Sequence, residues 1–198
     1  MPSIVDTLMQ QLASRGTIDQ IAGKLGVPSG QVNSALAAGV PAILAGLARN
    51  TQKPDGVASL SNALDKDHDG SVLDDDSYID SYGEKQGAGI LGHVFGAQTG
   101  AVQSQVSALG GLDASQGGEL LKMLAPLIMG YLGKEKSSGG LDIGSLSQIL
   151  GGGGAGGLQL PGGLSDILGG LAGGGSTAAS KKQSPGPGGI LGKLFKKK

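Results

Sequence analysis

Cysteine and tryptophan are absent from this 198-residue chain, which also has only three tyrosines and two phenylalanines. Without cysteine, neither a disulfide framework nor a thiolate metal site can form. Because aromatic side chains are so few, a hydrophobic core has to be built from Leu, Ile, Val and Ala. The only histidines are His68 and His93, which leaves little material for a histidine-based metal or catalytic centre.

Long apolar runs and targeting signals are also lacking. No stretch approaches the roughly 20 consecutive apolar residues of a membrane-spanning helix. The N-terminal residues show no basic region followed by an apolar run, as a secretory signal would require. We therefore expect a cytoplasmic protein, and export without a cleaved signal stays open as an alternative.

Glycine, by contrast, is abundant, with 40 residues in the chain, about three times the average frequency of roughly 7%. Runs of glycine at 151–154 and 173–175 follow a change of composition near Lys136. Glycine loses more conformational entropy on ordering than any other residue. We predict a helical domain over residues 1–136 and a flexible, disordered Gly-rich tail over residues 137–198, with a basic C-terminus.

Charge divides the chain at the same place. Residues 1–136 carry nine Lys/Arg and fourteen Asp/Glu, and residues 137–198 carry six Lys and two Asp, so the two parts have net charges of −5 and +4. An acidic body disfavours nucleic acid as a partner. The basic, amphipathic end at 190–198 suits contact with an anionic membrane surface. The apolar patches of the tail suit an unidentified protein partner or self-association.

Apolar spacing predicts an all-α fold. Apolar residues recur at helical intervals from Ile4 to Leu12, and Thr17 with Gln20 matches a helix-starting capping box. A longer helix is expected from Ser29 or Gly30 through Leu47, where an internal proline should kink or divide it. Three further apolar segments predict helices near 90–95, 102–109 and 114–133.

The two halves of the domain also repeat at an offset of 85 residues. The matched residues include a proline inside the long helix of each half. The matched pairs are Val27/Leu112, Gln31/Gln116, Ala35/Leu120, Leu36/Leu121, Pro41/Pro126, Ile43/Ile128 and Leu47/Leu132. Chance similarity between Ala/Leu-rich helices is the alternative. A true repeat predicts two helical units on either side of residues 65–76.

Residues 65–76 have the pattern of a calcium-binding loop. Such a loop takes oxygen ligands from positions 1, 3, 5, 7 and 12, with glycine at position 6 for the sharp turn. Gly70 is at position 6, Val72 at position 8 should anchor the loop to the core, and the predicted metal ligands are Asp65, Asp67, Asp69, Ser71 and Asp76. The predicted ion is Ca²⁺, with Mg²⁺ as the alternative, because carboxylate and carbonyl oxygens suit hard cations.

Two positions indicate weak binding at this loop. Leu73 at position 9 offers no side-chain oxygen, and Asp76 at position 12 is shorter than the usual Glu. Because sensor loops usually occur in pairs, a single loop favours a structural role for the ion over sensing. The competing interpretation is a solvated acidic turn with no specific ion. His68, at position 4 of the loop, is expected to point outward to water and is not a predicted ligand.

Two other functional classes receive little support from the sequence. Residues 18–36 have the spacing of a helix-turn-helix, but no Lys or Arg precedes Arg49 on the second helix, so the phosphate contacts that dominate DNA affinity are missing. A metal-assisted hydrolase would need a base and a substrate cradle that the sequence does not show, and Gly-rich residues 87–92 do not follow a strand. His93 is expected to pack or cap within its helix and not to act as a base. We therefore predict a non-enzymatic, cation-binding interaction or scaffold module, with a DNA-associated protein as the alternative.

Three segments, at 63–75, 89–96 and 124–130, resemble the YidB-like family of bacterial proteins of unknown function. The resemblance covers roughly residues 1–135. It implies a bacterial source and a compact all-helical domain with homeodomain-like helix-turn-helix units around an EF-hand-like loop. It implies no activity, and the Gly-rich tail lies outside it.

Overall fold

The computed structural model describes residues 4–68, 70–73 and 83–139, together with Gly163. These parts of the chain contain α-helices and two short 3-10 helices, Ser71–Leu73 and Gly96–Gln98, and no strand. The all-α prediction is confirmed. The α-helices are α1 (Ile4–Ser14), α2 (Thr17–Leu25), α3 (Ser29–Thr51), α4 (Gly56–Lys66), α5 (Gly83–Phe95), α6 (Thr99–Gly110) and α7 (Ala114–Ser137).

The start of α2 differs from the sequence prediction. Thr17 was expected to cap this helix, but Gly16 is the N-cap residue and Thr17 is the first helical residue, with its side chain buried. No side-chain hydrogen bond caps α2. The capping-box prediction for Thr17 and Gln20 is therefore wrong: Gly16, with a φ of 69°, turns the chain one residue earlier.

The helix pairs α2/α3 and α6/α7 have the same construction, displaced by 85 residues. Each first helix ends in a left-handed glycine, Gly26 with φ 67° and Gly111 with φ 66°. The next residue donates its N–H to the carbonyl five residues earlier, at 3.0 Å and 2.9 Å respectively, as in a Schellman motif. Each second helix continues through its internal proline without dividing. The two helix pairs thus share the geometry of this turn and of the proline-containing helix that follows it.

The two units also contact each other reciprocally. The side-chain amide of Gln116 on α7 donates to the carbonyl of Leu25 at the end of α2, at 3.2 Å. Gln31, the equivalent residue on α3, lies beside Gly111 at the end of α6. The end of each first helix therefore lies beside a glutamine from the second helix of the other unit.

The core lies around α3 and α7. Its members are almost all Leu, Ile, Val and Ala, with Phe95 the largest fully buried side chain, as the shortage of aromatic residues predicted. By length and composition alone α3 could cross a membrane, contrary to the expectation from apolar runs, but 72% of its most apolar window is buried inside the domain. This degree of burial is typical of the central helix of a folded domain.

The capping box that the structure does contain starts α7. The carboxylate of Asp113 accepts the backbone N–H groups of Ser115 and Gln116 at 2.9 Å and 2.8 Å, and the Gln116 side chain accepts the Asp113 N–H at 3.0 Å. The hydrogen bond from the Gln116 N–H, assisted by those from Ser115, holds the pKa of the Asp113 carboxyl below its ordinary value, although desolvation opposes the shift.

This cap predicts a pH-dependent contribution to stability. Because the folded-state pKa is lowered, the contribution is present above the carboxyl's ordinary pKa and is lost as the pH falls through the lowered one. We expect Asp113→Asn, which caps comparably but does not titrate, to have a lower melting temperature than the parent at neutral pH. The difference should disappear in strong acid. A difference that is independent of pH, measured by circular dichroism, would contradict this assignment.

Candidate functional site

The predicted cation loop begins inside α4. Asp65 lies in the last turn of this helix, and Asp67 is its C-cap residue. The chain turns at Gly70, which has a φ of 99° and is buried, and then forms the 3-10 helix Ser71–Leu73. Position 6 of the loop therefore has the left-handed backbone that favours glycine.

The loop packs closely against the C-terminal half of α7. A Cβ atom added to Gly133 would lie 1.7 Å from the backbone oxygen of His68, and one added to Gly130 would lie 2.2 Å from Cγ1 of Val72. Val72 itself is half-buried against the core, and Leu73 is buried. The prediction that Val72 anchors the loop is confirmed. The missing side chains on α7 provide the space that the loop fills.

Three of the five predicted ligands fall within the described residues. Asp65, Asp67 and Ser71 are all exposed, whereas Asp69 and Asp76 lie outside the described residues. Within the ranges that are described, no three His, Asp or Glu side chains come together as a metal site. The structure thus describes the turn at Gly70 and three of the predicted ligand positions. The full ligand set remains a prediction.

The carboxylate of Asp65 is already paired with a cation. The ammonium of Lys136, near the end of α7, donates to Asp65 Oδ1 at 2.5 Å, to Ser61 Oγ at 2.8 Å and to the Ser61 carbonyl at 3.3 Å. The Lys136 side chain is 19% exposed and that of Asp65 55%. A divalent ion that used Asp65 would have to compete with this ammonium for the carboxylate. In the sequence, Lys136 marks only the predicted domain boundary, because nothing local indicates a partner 71 residues away.

A cleft of about 590 Å³ lies beside the loop, between the end of α3, α4 and α5. Its walls are mostly apolar, with polar and charged groups that include Asp67 and both histidines of the chain. The lining residues are Leu47, Asn50, Lys53, Pro54, Asp55, Gly56, Ser59, Leu60, Ala63, Asp67, His68, Ile90, His93, Val94 and Met129. Small-molecule sites commonly have this size, although seven polar or charged residues make this lining more polar than is usual for them.

The histidines are placed differently from the sequence expectation. His68 was expected to point outward into water, but it is half-buried in the wall of the cleft. His93, expected to pack or cap within its helix, is exposed at the end of α5, and its carbonyl accepts a hydrogen bond from Asn50 Nδ2 at 3.0 Å. Lys53 Nζ in turn donates to Asn50 Oδ1 at 3.0 Å. This chain of contacts joins the C-terminal ends of α3 and α5 at the cleft.

The loop and the cleft share Asp67 and His68. A ligand in the cleft and a cation in the loop would therefore both act on the same two residues. Sequence reasoning missed this because the cleft wall combines residues from 47–68, 90–94 and 129. The isolated positions of the two histidines gave no signal that they face a common space.

Comparison with known families gives one result over most of the domain. A family described as bacterial protein of unknown function (DUF937) matches residues 6–135. Searches of curated proteins and of solved structures return no match. Residues 6–135 include all the α-helices of the domain, apart from the first residues of α1 and the last residues of α7.

Proposed function

We propose that this chain, which belongs to the DUF937 family of bacterial proteins of unknown function, is a divalent-cation-binding helical interaction module. Its cation site is the loop at residues 65–76, with Asp65, Asp67, Asp69, Ser71 and Asp76 as ligands. Ca²⁺ is the proposed ion and Mg²⁺ the alternative. The narrower likeness to YidB-like proteins belongs to the same proposal, since it depends on segments around this loop.

The observation that carries the proposal is the turn at Gly70. Its left-handed φ falls at the one position of a calcium-type loop that requires a sharp glycine turn. Val72 fixes the following turn to the core. Asp65 and Asp67, which precede Gly70, are thus attached to a backbone that is already folded, so less ordering of this part of the loop is required when the ion binds.

The contacts of Asp65 support weak binding and a structural role. Since Lys136 neutralises this carboxylate, a cation gains only the difference between its own interaction and the ion pair that it replaces. The loop follows α4 in the chain and packs against α7. An ion held in the loop would therefore connect two parts of the domain. The adjoining cleft, which shares Asp67 and His68 with the loop, is the proposed surface for the interaction partner.

The DNA-associated alternative gains no support from the surface of α3. In the first half of this helix the exposed residues are Gly30, Asn33, Ser34 and Ala37, and none carries a positive charge. Gln31 faces the end of α6. Affinity for DNA depends largely on phosphate contacts from Lys and Arg. We therefore do not propose DNA binding as a second function.

Calorimetric titration of the full chain with Ca²⁺, and separately with Mg²⁺, tests the proposal. We expect saturable one-site binding, and at a free ion concentration of 100 times Kd a gain in stability of about 2.7 kcal/mol. Asp67→Asn combined with Asp69→Asn should abolish both effects. Asp55→Asn, which removes an acid from the cleft but not from the loop, is the matched control and should bind normally. Absence of binding at millimolar ion, or unchanged binding by the double variant, would refute the cation site.

A further inference from the structure

The outward side of α6 is unusual for a solvent-facing helix. It is formed by Ala101, Ser104, Gln105, Ala108 and Leu109, which we call the α6 face. Leu109 is 37% exposed, and among the described residues it is the large apolar side chain with an exposed surface. The whole of α6, Thr99–Gly110, contains no charged residue, whereas charged residues make up about a quarter of a typical protein.

The repeat provides an internal comparison for this face. At an offset of 85 residues, Ser104 corresponds to Asp19 on α2 and Leu109 corresponds to Lys24. Asp19 and Lys24 are both exposed. The same two positions of the same structural unit are thus charged in α2 and uncharged in α6. Since the fold is shared, the difference points to a partner that covers α6 and not α2.

One residue of the tail lies against this face. Gly163 is placed so that a Cβ atom added to it would be 2.9 Å from Nε2 and 3.2 Å from Cδ of Gln105. The last described residue before it is Gly139, after the end of α7. The intervening chain can extend about 80 Å, so the position is easily reached.

We infer that residues 158–171 bind the α6 face of their own chain. This segment surrounds Gly163 and contains a single charged residue, Asp166; its apolar residues are Leu158, Leu160, Leu164, Ile167, Leu168 and Leu171. An apolar segment that covers Leu109 removes both apolar surfaces from water. Attachment to the same chain gives the segment an effective concentration in the millimolar range, which favours it over a second copy. The inference does not depend on the cation site.

Disulfide trapping tests this inference directly, because the chain has no cysteine of its own. We would introduce Gln105→Cys with Gly162→Cys in the full chain, which leaves the left-handed backbone of Gly163 unaltered. The control pairs Gln20→Cys, the equivalent exposed position on α2, with the same Gly162→Cys. We expect an intramolecular disulfide to form at least tenfold faster in the first variant than in the control, as judged by non-reducing gel electrophoresis at low protein concentration.

Two further variants separate docking from mere proximity of a tethered tail. Ile167→Ser with Leu168→Ser, and separately Leu109→Lys, should each slow trapping to the rate of the control, while circular dichroism shows an intact helical domain. Equal rates in the two cysteine pairs would overturn the inference. So would trapping that is insensitive to both sets of apolar substitutions. Disulfide-linked dimers in place of monomers would also overturn it and identify a second copy as the occupant.

Discussion

Replacing Gly87 with alanine is expected to lower the free energy of unfolding by about 3 kcal/mol, at the upper end of the usual cost of overpacking. A Cβ atom on this residue would lie 1.8 Å from the backbone oxygen of Lys122 and 2.6 Å from its Cα. The contact joins the backbones of α5 and α7, so no side-chain rotation can relieve it. The neighbouring residues Leu121 and Met123 are fully buried, which prevents α7 from moving away without opening the core.

Gly89→Ala is the matched control for this substitution. Gly89 lies two residues further along the same helix, and an added Cβ atom would meet nothing within 4 Å. Alanine there should increase stability by about 0.5–1 kcal/mol, because it reduces the conformational entropy lost on folding. Urea unfolding monitored by circular dichroism measures both variants. Similar stability changes in the two would show that α5 and α7 do not approach as closely as the structure indicates.

The helical architecture was largely predictable because it depends on local patterns. Apolar spacing located the long helices. The first matched pair at the offset of 85 residues, Val27 and Leu112, directly follows two glycines that have nearly identical φ angles in the structure. The prediction failed at Thr17, where residue type alone suggested a cap. The side chain of Thr17 is instead buried in the first turn of α2, so burial in the tertiary structure outweighed the local preference for a capping position.

The candidate site was predictable only in part, because its decisive contacts are distant in sequence. The spacing within residues 65–76 predicted the turn at Gly70 and the anchoring by Val72, because each follows from a position within the loop pattern. It contained no information about Lys136, which reaches Asp65 from another helix. It also could not indicate that His68 and His93 line one cleft, since that depends on how α3, α4 and α5 pack.

Glycine has a role in the domain that the sequence alone did not indicate. Glycine runs predicted flexibility in the tail, but composition gave no sign that several glycines of the domain lie where two segments approach too closely for any side chain. Gly46, for example, faces Val94 and Phe95, and a Cβ atom there would be 2.4 Å from Cγ1 of Val94. Close approach of this kind depends on tertiary packing, which local composition does not encode.

Gly133→Ala is the second substitution with a large expected effect, and it acts on the loop. A Cβ atom there would lie 1.7 Å from the backbone oxygen of His68 and 3.4 Å from that of Leu64. The obstructed neighbour is the start of the loop and not a second buried helix, so we expect the loop to be displaced from α7. The expected loss in the free energy of unfolding is about 2–3 kcal/mol, in the range for overpacked sites.

The same substitution connects stability to the proposed cation site. If the loop at residues 65–76 binds an ion in the geometry fixed by α7, then Gly133→Ala should also weaken Ca²⁺ binding at least tenfold in calorimetric titration. Gly118→Ala on the same helix is the control: Gly118 is also buried, but its nearest contact would be an ordinary 3.6 Å from the Gln103 side chain. This control should retain both stability and binding. A Gly133→Ala protein that is destabilised but binds Ca²⁺ normally would contradict this expectation. It would show that ion binding does not depend on the packing of the loop against α7.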